Sequence, residues 1–301
     1  MAKKLKKYIV TGGAGFIGSN LVDKLCKDGH TVTIIDDLST GKKENINPAA
    51  YHWLENIALA EVDTLAEYMK DVDTVFHFAA LARVQPSIEN PLPYNEVNVK
   101  GTLKLLMAAH KAGVRRVVYS ASSSCYGDTD IFPTPEDSKT NPLSPYGLQK
   151  FIGEQYCKMF SEVYGLDTCS LRYFNVYGNR MNESGAYALV LALWRKQKRE
   201  GKPLTITNDG NQRRDFTSVE DVIQANILAS EHPDRLCGES YNIGNGKNFS
   251  INEVAEMIGG PTKFIGERIE PFETLADNTK AKNVLGWNPT GNLEKFIKEV
   301  F

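Results

Sequence analysis

Tyr146 and Lys150 stand four residues apart in a segment of helical spacing, so both side chains leave one face of that helix. A phenol, with an ordinary pKa of about 10, is a poor base at neutral pH, and a neighbouring ammonium favours its phenolate. Ser122, Ser123 and Ser124 close an apolar run earlier in the chain, where a hydroxyl can hydrogen-bond a substrate oxygen as charge develops on it. Serine, tyrosine and lysine in this combination remove the proton of an alcohol or return it. Hydride transfer to a nicotinamide completes such an oxidation.

A second feature points to that nicotinamide. Residues 11–18 lie between a short apolar strand, 8–10, and a helix carrying Phe16, Ile17, Leu21 and Leu25 at helical spacing. Gly12, Gly15 and Gly18 recur at every third position. They leave backbone N–H groups at a helix start with no Cβ to keep a pyrophosphate away. Asp36 closes the next strand, 18 residues beyond Gly18. From there a carboxylate accepts hydrogen bonds from an adenosine ribose and repels a 2′-phosphate, so NAD rather than NADP is the expected cofactor.

These groups need a scaffold that brings them to one edge. Residues 31–35, 73–78, 114–120 and 168–172 read as buried strands. Helices are expected over 95–112, stopped by Gly113, and over 145–164, with Ser144 as N-cap and Pro145 at the first position. The alternation implies an α/β fold, a Rossmann-like doubly wound parallel sheet. Beyond about residue 175 the pattern loosens. Helices near 185–199, 219–231, 251–258 and 292–299, with a strand around 204–207, suggest a smaller C-terminal α/β lobe. With no linker between the lobes, a shared cleft is expected.

Composition narrows the partners. The 301 residues are 42% hydrophobic and carry a formal charge of -2, which excludes a disordered chain and argues against a nucleic-acid partner. Five cysteines without a C-x-x-C pair and five histidines without i, i+4 pairing imply neither a disulfide framework nor a metal. The basic N-terminus runs straight into a strand, without the apolar core of a signal peptide, and no apolar run approaches a membrane span. A cytoplasmic protein with no membrane partner is expected.

With the glycine turn, Asp36, the serine cluster, Tyr146 and Lys150 in this order, the chain resembles the extended short-chain dehydrogenase/reductase superfamily over nearly its whole length. Segments 77–80, 94–98, 121–127, 142–146 and 171–178, with Arg214 and Asp215, make it similar to nucleotide-sugar 4-epimerases, above all those acting on UDP-N-acetylglucosamine or UDP-glucose. The resemblance divides the chain into a NAD-binding domain, 1–175 joined by roughly 215–243, and a nucleotide-sugar-binding lobe, 176–214 and 244–301.

It also implies roles. Phe78, Ala79 and Ala80 line the cofactor with Phe16 and Ile17, Asn98 stands behind the active site, and Tyr173 borders the nicotinamide. Asn56 and Ile57 occupy the adenine contact, where the family usually has Asp-Ile. Asn175 contacts the substrate phosphates, Arg214 grips the diphosphate, and Arg268 is a second clamp. Thr274 aligns with a gate whose small side chain admits an N-acetyl group, while Leu189 and Ala82 depart from the sugar pocket of the N-acetyl-preferring enzymes. Ser123 and Ser124 stand where dehydratases and decarboxylases of this fold carry acids, so nothing is placed to protonate a leaving hydroxyl.

The implied activity is NAD-dependent C4 epimerisation of a UDP-hexose through a 4-keto intermediate, catalysed by Ser122, Tyr146 and Lys150. The implied assembly is a homodimer through the 95–112 and 145–164 helices. A 4,6-dehydratase or decarboxylase, or a non-catalytic dinucleotide sensor, are the alternatives.

Overall fold

Strand β1 (Lys7–Thr11) sends Tyr8 and Val10 into one hydrophobic cluster and Ile9 into another, and all three are buried. A strand buried on both faces needs helices on both sides of its sheet. The computed structural model, which describes residues 5–183, 189–268 and 270–301, has that arrangement. β1 belongs to a seven-stranded parallel sheet with β2 (Thr31–Asp36), β3 (Tyr51–Leu54), β4 (Thr74–His77), β5 (Arg116–Ser122), β6 (Asp167–Tyr173) and β7 (Ser240–Ile243). The spatial order is β7-β6-β5-β4-β1-β2-β3, parallel at every junction. The chain winds outward from β1 through β2 and β3, then restarts on the other side at β4. The crevice above that reversal is where doubly wound sheets bind ligands.

Helices α1 (Phe16–Lys27), α2 (Val62–Tyr68), α3 (Val84–Glu89), α4 (Pro91–Asn95), α5 (Thr102–Lys111) and α6 (Pro145–Val163) follow the first five strands, and α7 (Val190–Arg199) to α11 (Leu293–Val300) follow later. One face of the sheet buries Leu21, Val22 and Leu25 of α1 with Val219, Val222 and Ala225 of α8 (Val219–Glu231). The other buries Leu65 of α2, Leu105 and Leu106 of α5, and Cys157 and Phe160 of α6. A third cluster, with Trp194, Leu204, Ile206, Phe216, Val254 and Ile297, is the core of the smaller lobe, shared by α7, α9 (Ile251–Ile258) and α11. The expected helix at 185–199 is present as α7, and residues 184–188 lie outside the described residues.

Two departures from expectation bear on function. The 95–112 stretch is not one regular helix. Between α4 and α5 the backbone widens into π-helical turns over Glu96–Gly101, a feature that recurs at functional sites. The Asn98 side chain leaves this segment to clamp Leu81, accepting its N–H at 2.8 Å and donating to its carbonyl at 3.0 Å and to Gln149 Oε1 at 3.1 Å. The second departure is β7, a four-residue strand that completes the sheet beside β6.

α6 starts as its sequence dictates, with the Ser144 hydroxyl accepting the Gly147 N–H and Pro145 in the first turn. Its seat is set further along. Arg172 of β6 donates to both carboxylate oxygens of Glu154, at 2.9 and 2.6 Å, and this ion pair is buried. One residue earlier, a Cβ on Gly153 would lie 2.3 Å from the Tyr119 hydroxyl of β5. The helix can therefore lie this close to the sheet only with glycine there. We expect Gly153→Ala to destabilise the protein by about 1–3 kcal/mol in urea unfolding, despite alanine's higher helix propensity. Unchanged or higher stability would show that α6 has room to shift.

Candidate active site

A cavity of about 540 Å³ opens above the carboxyl ends of the strands and takes in residues that follow β1, β2, β4, β5 and β6. At its floor the chain leaves β1 through Gly12, in the left-handed region at φ +68°, where a Cβ would lie 2.7 Å from Ala79 N. Gly18 packs as tightly on Gly12, with its Cβ position 2.3 Å from the Gly12 carbonyl oxygen. Gly15 caps α1 with no side chain, and the first turn carries no acid. The amide end of a twelve-residue helix thus faces the cavity, and its partial positive charge suits a pyrophosphate. The residues fit a dinucleotide.

Asp36 holds this turn in shape. Its Oδ2 accepts the Ala14 N–H at 2.9 Å and its Oδ1 the Leu38 N–H at 2.8 Å. Beside it, Asp37 Oδ2 accepts a hydrogen bond from Asn56 Nδ2 at 2.7 Å, while Asn56 Oδ1 accepts the Ala58 N–H. This accounts for the departure at residue 56: an aspartate there would set two carboxylates against each other. Phe16, Ile17, Ile57, Phe78, Ala79, Ala80 and Tyr173 complete this part of the wall. Tyr173 stacks on Phe78, with ring centroids 6.4 Å apart, and is fixed from behind by hydrogen bonds with Asn226.

The reacting end is built by β5 and α6. Ser122 ends β5, its hydroxyl 2.7 Å from that of Ser124 and accepting the Ser124 N–H. Tyr146 and Lys150 project from the first turns of α6, and Tyr146 donates its backbone N–H to Ser87 Oγ on α3. Lys150 is buried, its ammonium 4.5 Å from the centre of the Tyr119 ring. Burial pushes the Lys150 amine down to about 7. Burial also raises the Tyr146 phenol, against a hydrogen bond with Ser122 that lowers it. Tyr94 nearby adds a smaller rise. Behind them His77 accepts no proton until about 3, again through burial first and then the charge of Lys150.

At the far end Arg214 donates to Glu270 Oε2 at 2.7 Å. Asn175 and the Asp215 N–H both donate to the Thr274 hydroxyl, at 3.3 and 3.2 Å. Asp215 itself is buried and titrates up at about 6, although it accepts the N–H groups of Ala276, Gly246 and Asn245. It pins the loops that carry Arg214 and Thr274. Ala82, Ser123, Ser124, Leu189, Asn175, Arg214 and Thr274 all line the same cavity as Ser122, Tyr146 and Lys150.

Two expected residues do not line it. Asn98 stands one layer back, holding Leu81 in place. Arg268 is exposed, and its backbone brackets the Asn208 side chain, which turns that part of the loop away from the cavity. Glu270, two residues on, faces Arg214 instead. Glu270, Asp37, Arg83 and Tyr94 are wall residues that sequence reasoning missed. Asp37 had a signal in its position directly after Asp36, and Tyr94 opens the 94–98 segment of the resemblance. Among the described residues no group of three or more His, Cys, Asp or Glu could hold a metal, and no helix is long and apolar enough to cross a membrane.

The model of the NAD dependent epimerase/dehydratase family matches residues 8–244. A putative UDP-glucose 4-epimerase of Methanocaldococcus jannaschii is 39% identical over 300 residues, covering 97% of this chain and 96% of that protein. Among solved structures, a Thermotoga maritima UDP-glucose 4-epimerase with UDP-glucose superimposes at a TM-score of 0.91, with 36% identity over 98% of this chain and 97% of that one. A UDP-N-acetylglucosamine 4-epimerase of Methanobrevibacter ruminantium M1, in complex with UDP-N-acetylmuramic acid, reaches 0.92, with 37% identity over 99% and 97%.

The buried Lys150 carries a signed prediction. Its pKa falls from an ordinary 10.5 in the unfolded chain to about 7 in the fold. The folded state therefore loses stability as pH drops from 10.5 towards 7. Lys150→Met should stabilise the protein more at pH 7 than at pH 9.5, by about 1–3 kcal/mol in urea titrations. Equal gains at the two pH values would show that the amine is solvated.

Proposed function

Because this chain belongs to the NAD-dependent epimerase/dehydratase family, we propose that it is an NAD-dependent enzyme inverting C4 of a UDP-hexose. What carries the reading is the convergence of Ser122, Tyr146 and Lys150 on a cavity that also contains the glycine turn, Asp36 and Arg214. The amides of the turn would hold the pyrophosphate of NAD, Asp36 its adenosine ribose, Asn56 and Ile57 the adenine, and Phe78, Ala79, Ala80 and Tyr173 the nicotinamide. NAD, when bound, supplies the acceptor and donor for the C4 hydrogen.

Tyr146 takes the proton from O4 and Ser122 hydrogen-bonds that oxygen as it becomes a carbonyl. Protonated Lys150 offsets the charge of the phenolate and hydrogen-bonds the nicotinamide ribose. Arg214 and Asn175 hold the diphosphate while the 4-keto sugar turns its other face, and Tyr146 then returns the proton. For Arg214 to do so, its bond to Glu270 must give way or be shared. Thr274 leaves room for an acetamido group, so both plain and N-acetylated hexoses fit this reading.

Ser123 and Ser124 line the reacting end, and no carboxylate lines it among the described residues. An acid for expelling a hydroxyl is missing, which favours epimerisation over dehydration. Exposed Leu92, Met107, Leu148, Val163 and Tyr164 lie along α4, α5 and α6 or at their ends, and a homodimer through these helices fits the same reading. Light scattering should give twice the 33.5 kDa chain mass.

Proton NMR of the purified protein with UDP-glucose and, separately, UDP-N-acetylglucosamine should show the galacto form of at least one. Tyr146→Phe should lower turnover by roughly 10²–10⁴-fold. A stable 4-keto-6-deoxy product, or near-normal turnover by Tyr146→Phe, would defeat the proposal.

A further inference from the structure

Residues 125–144 join the serine cluster to α6, and none of them lines the cavity. Their first half is nonetheless fixed by buried polar contacts that the proposed chemistry does not use. The Tyr126 hydroxyl accepts a hydrogen bond from Arg172 Nη1 at 2.6 Å and donates to Asn242 Oδ1 at 2.7 Å. Asn242 lies in β7 and is fully buried. Its side-chain nitrogen donates to the carbonyl of Thr134 at 2.9 Å and to that of Asp277 at 3.1 Å, and its backbone N–H to Glu136 Oε1 at 2.8 Å. Both polar atoms of that side chain are thus engaged.

The segment that Asn242 holds is the one carrying Thr274. The Thr134 N–H donates to the Leu275 carbonyl at 2.8 Å, and the Asp277 N–H returns to the Thr134 carbonyl at 3.0 Å. Ala276 packs with Tyr126 and Phe174 in one apolar cluster. A Cβ on Gly244, just past β7, would lie 2.3 Å from that of Ala276, and Asn278 donates to the Gly244 carbonyl at 2.8 Å. Thr274 and Phe174 both line the cavity. Hydrogen bonds therefore run from Glu154 through Arg172, Tyr126 and Asn242 to Asp277, joining the helix that bears Tyr146 to the loop that bears Thr274. Phenylalanine at position 126 would keep the ring and remove one hydroxyl, leaving Asn242 Oδ1 a buried acceptor without a donor. Arg172 would keep Glu154 and the Glu136 carbonyl, so the seat of α6 would survive.

We infer that Tyr126 and Asn242 are positioning residues for the sugar-binding wall, tying the loop 274–278 to the arginine that seats α6. The effect on a sugar rests on the proposed C4 epimerisation, whereas the tether itself does not. Two measurements compare the unaltered protein with Tyr126→Phe. Hydrogen exchange read by mass spectrometry should show residues 274–278 exchanging at least about tenfold faster in the variant, with α1 and α6 unchanged. In steady-state kinetics the variant should raise KM for UDP-glucose or UDP-N-acetylglucosamine by about 5- to 20-fold, while kcat and NAD affinity stay within about threefold.

Unchanged exchange in the loop, or an equal increase throughout the chain, would overturn the assignment. A fall in kcat at constant KM would do the same, because the hydroxyl would then serve the reacting end. If Tyr126→Phe does not fold, native-state exchange of the unaltered protein decides the matter. The amides of Ala276 and Asp277 should open together with those of β7, within about tenfold in rate, since Asn242 holds both. A loop that opens more readily than that would overturn the tether. If the unaltered protein neither binds nor inverts either nucleotide sugar, the epimerase reading fails, and the exchange comparison still decides on the tether.

Discussion

The seat of α6 on the sheet governs the chemistry of this protein. The ion pair of Glu154 with Arg172 fastens the helix to β6, and the missing side chain at Gly153 lets it press on Tyr119 of β5. Tyr146, Lys150 and Glu154 follow at intervals of four residues, so one helix face carries the proton-transfer pair and its anchor. Removing one partner of a buried pair typically costs about 3–5 kcal/mol, because the other charge stays buried. The pair therefore acts less as a source of stability than as a fixed register for Tyr146 over Ser122.

That register explains the electrostatics. Lys150 rests on an aromatic ring in a dry layer beside a neutral His77, which itself sits between Thr11 and Thr102 at 2.7 and 2.9 Å. The surroundings leave the amine near its titration point and lift the phenol. The amine is thus the group close to its titration point at neutral pH, whereas the phenol needs a positive charge or a hydrogen-bond donor beside it to give up its proton. The open amide end of α1 adds positive potential at another point of the cavity, while Arg214 at the far end is paired with Glu270.

Much of this was legible in residue order. The glycine turn, Asp36 and the Tyr146–Lys150 pair are local patterns whose chemistry follows from spacing, and the strands that carry them are apolar runs with clear boundaries. β3 and β7 were missed because their short sequences mix polar with apolar residues and show no apolar run, unlike the equally short β4, so only pairing with β2 and β6 makes them strands. The π-helical turns at Glu96–Gly101 were missed because apolar spacing does not report a backbone that widens by one residue. Arg268 was expected as a clamp, but the path of the loop set it outside the cavity and put Glu270 against Arg214.

The sequence by itself determined which groups exist to do the chemistry and which local turn or helix presents each of them, since capping, glycine conformation and helical periodicity are short-range effects. It also showed the alternation that demands a parallel sheet. Only the tertiary structure decided how those groups meet: that Asn56 answers Asp37, that Arg83 shares a wall with Tyr146, and that Lys150 is dry enough to titrate near 7. Burial and long-range hydrogen bonding depend on how distant segments pack against one another, and no local pattern of residues records that.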